Sequence, residues 1–317
     1  MAHNVEIIDG KAQMAYSGEV PWHGLGTEVP ADLTPEQMLE AAGLNWEVEK
    51  VPAYSKVGSK NIDIGWSALV RKTDEKVIDV VSNDWKPVQN LEAFEFFNDF
   101  IAEGEMEMHT AGSLQGGQIV WALAKVKDGF SLFGGDEVES YLHFTNFHKY
   151  GFSTDVRFTP IRVVCNNTLT LSLNTKVERM VKISHRNKFN GDDAKLMLGI
   201  AADKLAKYEE MAQFLGTKRY TDETVTDFFN RIWPKNENAK RIGMTKNSKD
   251  AVSILETQPG ADFAPGTWWQ AYNAVTYMTD HIIGRNADNR MQSAWYGNNK
   301  NLKVRALETA VEMAEAA

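Results

Sequence analysis

The hydrophobic period of this chain changes once, near residue 190, and that change limits it to folds in which a sheet-rich part precedes a helical one. Before it, Trp46 to Tyr54, Ile62 to Arg71 and Val77 to Ser82 alternate with period two, and Gly58-Ser59-Lys60 and Thr73-Asp74-Glu75 separate them as turns. This is the pattern of an antiparallel meander. Leu91 to Ile101 places Phe94, Phe97 and Ile101 on one helical face, which predicts a helix packed on the sheet. Ahead of the meander, Thr34-Pro35-Glu36-Gln37 carries the elements of a capping box, so a short helix is expected to begin there and end near Gly43. Further strands are expected over Gln118 to Lys125, Glu139 to Phe147 and Thr154 to Val164. After residue 190 the spacing becomes helical over Asp192 to Phe214, Thr221 to Ile232, Ser248 to Thr257, Thr267 to Ile283 and Asn299 to Glu315, with Lys235 to Lys249 as a polar loop. The expected class is α+β: a meander with packed helices in residues 1–175, a basic connector over 176–190, and a helical region over 191–317 packed on the first part.

Composition narrows function mainly by exclusion. One cysteine, Cys165, rules out an internal disulfide. Since it lies in the apolar run Ile161 to Val164, it reads as a buried thiol and not as a nucleophile. The N-terminus has no apolar signal-like core and no segment reaches the length of a membrane span, so a cytoplasmic protein that uses no membrane is expected. His143 and His148 are the closest histidine pair, and their spacing on a strand predicts opposite faces, which does not suit a zinc site. Neither a GxxxxGK[ST] loop nor a GxGxxG turn occurs, so nucleotide hydrolysis and dinucleotide binding lack their usual phosphate cradle. No cofactor is expected and no enzyme active site can be read. Asn167 or Thr168 is expected to cap a helix beginning near Leu169.

Charge is unevenly divided. The formal total is −9, but residues 1–150 carry 11 Lys/Arg against 24 Asp/Glu, and residues 151–317 carry 23 against 19. The densest basic run is Lys176, Arg179, Lys182, His185, Arg186 and Lys188, opposed only by Glu178, with Phe189 at its end. Such a run can neutralise phosphates, and Phe189 can stack on a base, which is the chemistry of single-stranded DNA or RNA binding. A solvated connector is the competing reading. A second basic group, Arg285, Arg290, Lys300, Lys303 and Arg305, surrounds Trp295 and Tyr296, which read as core or interface aromatics.

Several unusual words occur in order along the chain: Pro21-Trp22-His23-Gly24-Leu25-Gly26, Val88-Gln89-Asn90, Thr110-Ala111-Gly112-Ser113-Leu114, Arg162 to Leu169, Gly266 to Thr276, Ser293 to Gly297 and Lys303 to Leu307. On these the chain resembles the phage/plasmid-like proteins of the DUF932 family, over residues 10 to 315, which implies a whole protein of a bacteriophage, plasmid or other mobile element. In element order it is also similar, more distantly, to the single-strand annealing proteins of recombination. That likeness implies a homo-oligomer acting without ATP in recombination or replication. The alternative from another class is a non-enzymatic interaction module, host-directed or an assembly factor, whose acidic first half meets a basic partner.

Overall fold

The computed structural model describes residues 5–18, 24–127, 129–162, 167–168, 181–185, 206–235, 243–285 and 287–316. The fold is α+β, with sheets dominating the first half and helices the second. Two compact units form: one from residues 1–127, 141–157 and 180–199, the other from residues 128–140, 158–179 and 200–317.

The first unit opens with the short strands β1 (Ile7–Ile8), β2 (Lys11–Ala12), β3 (Met14–Tyr16) and β4 (Thr27–Glu28), followed by α1 (Pro35–Ala41). The expected capping box is present: Thr34 Oγ1 accepts from Gln37 N at 3.2 Å, and Gln37 Oε1 accepts from Thr34 N at 2.9 Å. Next comes the expected meander, β5 (Val48–Val57), β6 (Lys60–Arg71) and β7 (Lys76–Ser82), paired antiparallel in the order β5-β6-β7. Ser67, Leu69 and Arg71 turn one face of β6 inward, while Trp66 on the other face is exposed. Arg71 is buried and is the anchor of that inner face. It donates to both carboxylate oxygens of Glu6, at 3.1 and 3.0 Å, and to Asp74 at 2.9 and 2.7 Å, and it lies 5.1 Å from the Trp46 ring centroid. Burial alone raises the Glu6 carboxyl, but hydrogen bonds from Arg71, Ser113 and Lys76 outweigh it and hold the group below its ordinary value.

A single helix over residues 91–101 is not what forms. Two short helices, α2 (Asn90–Glu95) and α3 (Asn98–Ala102), flank a break at Phe96 and Phe97, both of which are buried. Both rings meet Phe144, at 5.4 and 6.0 Å. Phe144 sits on β11 (Asp136–Phe147), in register with Ala122 of β9 (Ile119–Val126) and through it with Ala111 of β8 (Met106–Leu114). Two small side chains beside one large ring leave room for the helices. Strand β8 and strand β3 beside it are additions to the sequence reading.

In the second unit, β10 (Phe130–Leu132) and the start of β11 make a hairpin whose Leu132 and Val138 join the helical core. The helices are α4 (206–217), α5 (Asp222–Ile232), α6 (Lys246–Ile254), α7 (Trp268–Tyr277), α8 (Ala287–Tyr296) and α9 (Asn298–Glu315). Thr221, Thr245 and Thr267 cap α5, α6 and α7 with their hydroxyls. The core includes Tyr208, Phe228, Phe229, Trp268, Trp269 and Tyr272. Trp269 Nε1 donates to Asp136 Oδ2 at 2.9 Å, fastening the hairpin to α7. Gly216 lies so close to the Phe133 ring that a Cβ would overlap it. The helix expected to run to Ile283 instead passes after Tyr277 into a π-helical turn, Met278–Ile282, closed by Ile283 N donating to Met278 O at 2.7 Å.

Two details differ from the expectations. Lys246 to Lys249 belong to α6 and not to a loop, with Thr245 supplying the cap. Helix α8 occupies a segment left without an element. Asn167–Thr168 form strand β13, in register with Arg162 and Ile161 of β12 (Thr154–Arg162); the helix they are expected to cap, from Leu169, lies outside the described residues.

Candidate nucleic-acid interface

The connection between β11 and β12, residues 148–153, begins buried and ends exposed. His148 is its anchor. The amide nitrogen of Asn90 donates to Leu44 O at 2.9 Å and Trp46 O at 3.4 Å, so the Asn90 oxygen faces His148, whose Nε2–H donates to it at 2.9 Å. Burial first, and the charges of His185 and Arg71 after it, lower the His148 imidazole from 6.5 to about 3. His143 lies on the opposite face of β11, as its spacing from His148 predicts. Arg157 Nε donates to His143 Nδ1 at 3.1 Å, and His143 Nε2 lies 3.3 Å from Thr145 Oγ1. Among the described residues, no cluster of three or more His, Cys, Asp or Glu side chains could hold a metal ion.

Beyond His148 the chain turns outward. Tyr150 N donates to Asp79 Oδ2 at 2.8 Å, which ties the connection to β7. The Tyr150 ring, 44% exposed, stands edge-on to Trp66 at 5.1 Å. Phe152, 46% exposed, stacks on buried Phe147 at 5.0 Å, and Lys149 Nζ lies 5.5 Å from the Phe152 centroid. Three aromatic rings, Trp66, Tyr150 and Phe152, thus stand partly in solvent with a lysine beside one of them. Partly exposed rings beside a cation are the kind of surface that stacks unpaired bases and holds their phosphates.

The described part of the basic stretch adjoins this connection. Strand β14 (Val181–Ile183) pairs antiparallel with the start of β12, placing Ile183 opposite Thr154 and Lys182 opposite Asp155. One residue, Ser153, therefore separates Phe152 from the rung that Ile183 completes. His185 then turns inward: it is buried, stacks on Trp85 at 4.2 Å and donates through Nδ1 to Lys86 O at 3.0 Å, while Lys86 N donates to His185 O at 2.6 Å. Burial lowers its pKa, with hydrogen bonds to the backbone of Lys86 and Phe147 working the other way. His185 is therefore a fastener of this stretch and not an exposed phosphate contact. Lys176, Arg179, Arg186, Lys188 and Phe189 lie outside the described residues, as do Cys165 and Pro21 to His23.

The second basic group is largely engaged within its own unit. Lys303 is fully buried and binds Asp280 at 2.8 Å, Arg305 donates to Ile232 O, and Arg290 donates to His281 O. Trp66, Tyr150 and Phe152 were not singled out in the sequence. The signal that could have found them is Lys149-Tyr150-Gly151-Phe152, a turn carrying two aromatics between two strands, where buried rings have no reason to be.

The family model described as Domain of unknown function (DUF932) matches residues 77–295. The chain belongs to the DUF932 family. No curated protein and no solved structure matches it. The DUF932 span takes in β7, the aromatic connection and β14, while β5 and β6 precede it. Among the described residues, no helix is long and apolar enough to cross a membrane.

Proposed function

We propose that this chain is a single-stranded nucleic-acid-binding protein of a phage or plasmid, acting in the host cytoplasm in ATP-independent, annealing-type recombination or replication without enzymatic activity of its own. The observation that carries this reading is the exposed Tyr150 and Phe152, with Lys149, in the connection that leads into β12, where Asp155 lies in register with Lys182. Aromatic faces supply sequence-tolerant stacking, and the basic stretch supplies phosphate contacts. Annealing by this route needs no nucleotide hydrolysis, consistent with a sequence that lacks a phosphate-binding loop.

The test is a salt titration of the full chain on a labelled single-stranded oligonucleotide. Each phosphate contact on a single strand contributes about 0.7 to the slope, so Lys182, Arg186 and Lys188 changed together to alanine should flatten it by roughly 2. Tyr150→Ala and Phe152→Ala should each weaken binding by about 1–3 kcal/mol at an unchanged slope. If the parent binds no oligonucleotide at low salt, the reading fails. The interaction-module reading then takes its place. It is favoured by the segment from Pro87 to Ala124, which carries six acidic residues and neither lysine nor arginine.

A further inference from the structure

The hairpin formed by β5 and β6 divides at a register shift between Pro52 and Tyr54. Below the shift one face is buried; above it, from Tyr54 to Ile64, every residue is exposed. Such an arm contributes nothing to the core of its own unit, and a two-stranded ribbon without a buried face is marginal in water. Its side chains are nevertheless apolar on one face. Val57, opposite Lys60, and Ile62, opposite Ser55, fall on the same face, Ile64 follows two residues on, and the three are 59%, 49% and 46% exposed. Lys60 shares that face at the tip, and Lys56 stands beside it on the other.

The chemistry of the arm selects its occupant. Aliphatic, β-branched side chains offer no stacking surface to a base, so this face does not suit a nucleic acid. A lipid surface is disfavoured by the acidic excess of residues 1–150, 24 Asp/Glu against 11 Lys/Arg. On its β5 side the arm is blunted against strand addition by Lys56 and the register shift at its base, and its β6 side carries Lys60 and Asp63, which favours its side-chain face as the contact. A lysine-tipped aliphatic face fits an acidic protein surface. Such a surface is present in the same unit: Glu95, Asp99, Glu103, Glu105 and Glu107, on α2, α3 and the start of β8, are all exposed. Lys125 and Lys127 lie across the ladder from this acidic edge and offset only part of its charge.

We infer that the Tyr54–Ile64 arm docks on the acidic α2–α3–β8 surface of a second copy of this chain. Because the two surfaces differ, the contact is heterologous, and repetition builds a ring or an open filament, not a closed two-fold dimer.

Sedimentation velocity of the full chain over a concentration series tests this. The parent should self-associate, more strongly at low salt. Lys56→Glu with Lys60→Glu, and separately Glu103→Lys with Glu105→Lys and Glu107→Lys, should each raise the apparent dissociation constant by about tenfold or more. An equimolar mixture of the two variants should associate again, since each then offers the complement of the other. Ile62→Ser, which changes no charge, should weaken association as well and serves if a charge variant fails to fold. A parent that stays monomeric at its highest soluble concentration, a mixture of folded variants that does not reassociate, or self-association unaffected by Ile62→Ser overturns the proposal. Oligonucleotide binding by the monomeric variants is read separately, so the fate of the nucleic-acid reading does not decide this one.

Discussion

Trp66 and Tyr150 of the first unit and the aromatics of α7 in the second have opposite fates, although Trp46, Trp85, Trp121, Tyr16 and Tyr141 of the first unit are buried as well. In the second, Trp268, Trp269 and Tyr272 are almost wholly buried on α7, and the Trp269 indole also reaches a buried carboxylate. In the first, Trp66 and Tyr150 stand edge to edge with much of their surface in water. Both pairs occur in segments that look equally apolar in sequence. The difference is whether a further layer covers them: α7 is enclosed by its neighbours, whereas the outer face of β6 is not. The burial of the α7 aromatics therefore speaks of stability, and the exposure of Trp66 and Tyr150 of contact.

Trp269→Ala should break that comparison if it is wrong, and it carries the largest expected effect. Loss of the ring from the helical core should cost about 3–5 kcal/mol, read as a fall in the urea midpoint. Trp66→Ala, by contrast, should stay within about 0.5 kcal/mol of the parent. A similar loss from both would mean that the outer face of β6 is covered after all. Acid sharpens the contrast from another side. In the unfolded chain His148 takes up a proton near pH 6.5, and in the folded one only near 3, so the unfolded state binds more protons throughout that window. Stability should therefore fall as pH falls below about 6.5, by at most about 1.4 kcal/mol per unit from this group. His185, also lowered, adds in the same sense. His148→Gln should flatten the dependence above the carboxylate range, as measured by denaturant midpoints at several pH values. The smallest effect concerns caps, where the units should behave alike. Thr34→Ala in the first and Thr221→Ala in the second should each cost about 1 kcal/mol, because a cap acts on its own helix turn wherever the helix packs.

What could be read in the sequence was local. Thr34 and Gln37 announced α1, and the alternation of β5, β6 and β7 announced the meander, since neither depends on distant residues. Strand β8 was hidden because nearly all of its residues are inaccessible on both faces and a bulge between Met108 and Thr110 shifts its phase, so no clean alternation remains. Strand β14 was hidden because Val181–Ile183 becomes a strand only through its partner β12, about 27 residues earlier, inside a run whose visible feature was charge. The same run illustrates the limit for the site. Its charge could be counted in sequence, but the inward turn of His185 onto Trp85 depends on a neighbour 100 positions away. The exposure of Tyr150 and Phe152 likewise follows from the burial of His148, which only the packing of Asn90 reveals.

The indole–carboxylate bond between Trp269 and Asp136 spans 133 residues. At about 5–20 residues per second, a ribosome needs roughly 7–27 s after making Asp136 before it has made Trp269. Throughout that interval the apolar side of the β10–β11 hairpin, Leu132 and Val138, lacks α7 and the helices after it. The nascent chain thus carries a partly uncovered hydrophobic flap until α7 emerges, which makes the stretch of translation from Asp136 to Trp269 the period when chaperone capture or misassembly would have its greatest hold on this protein.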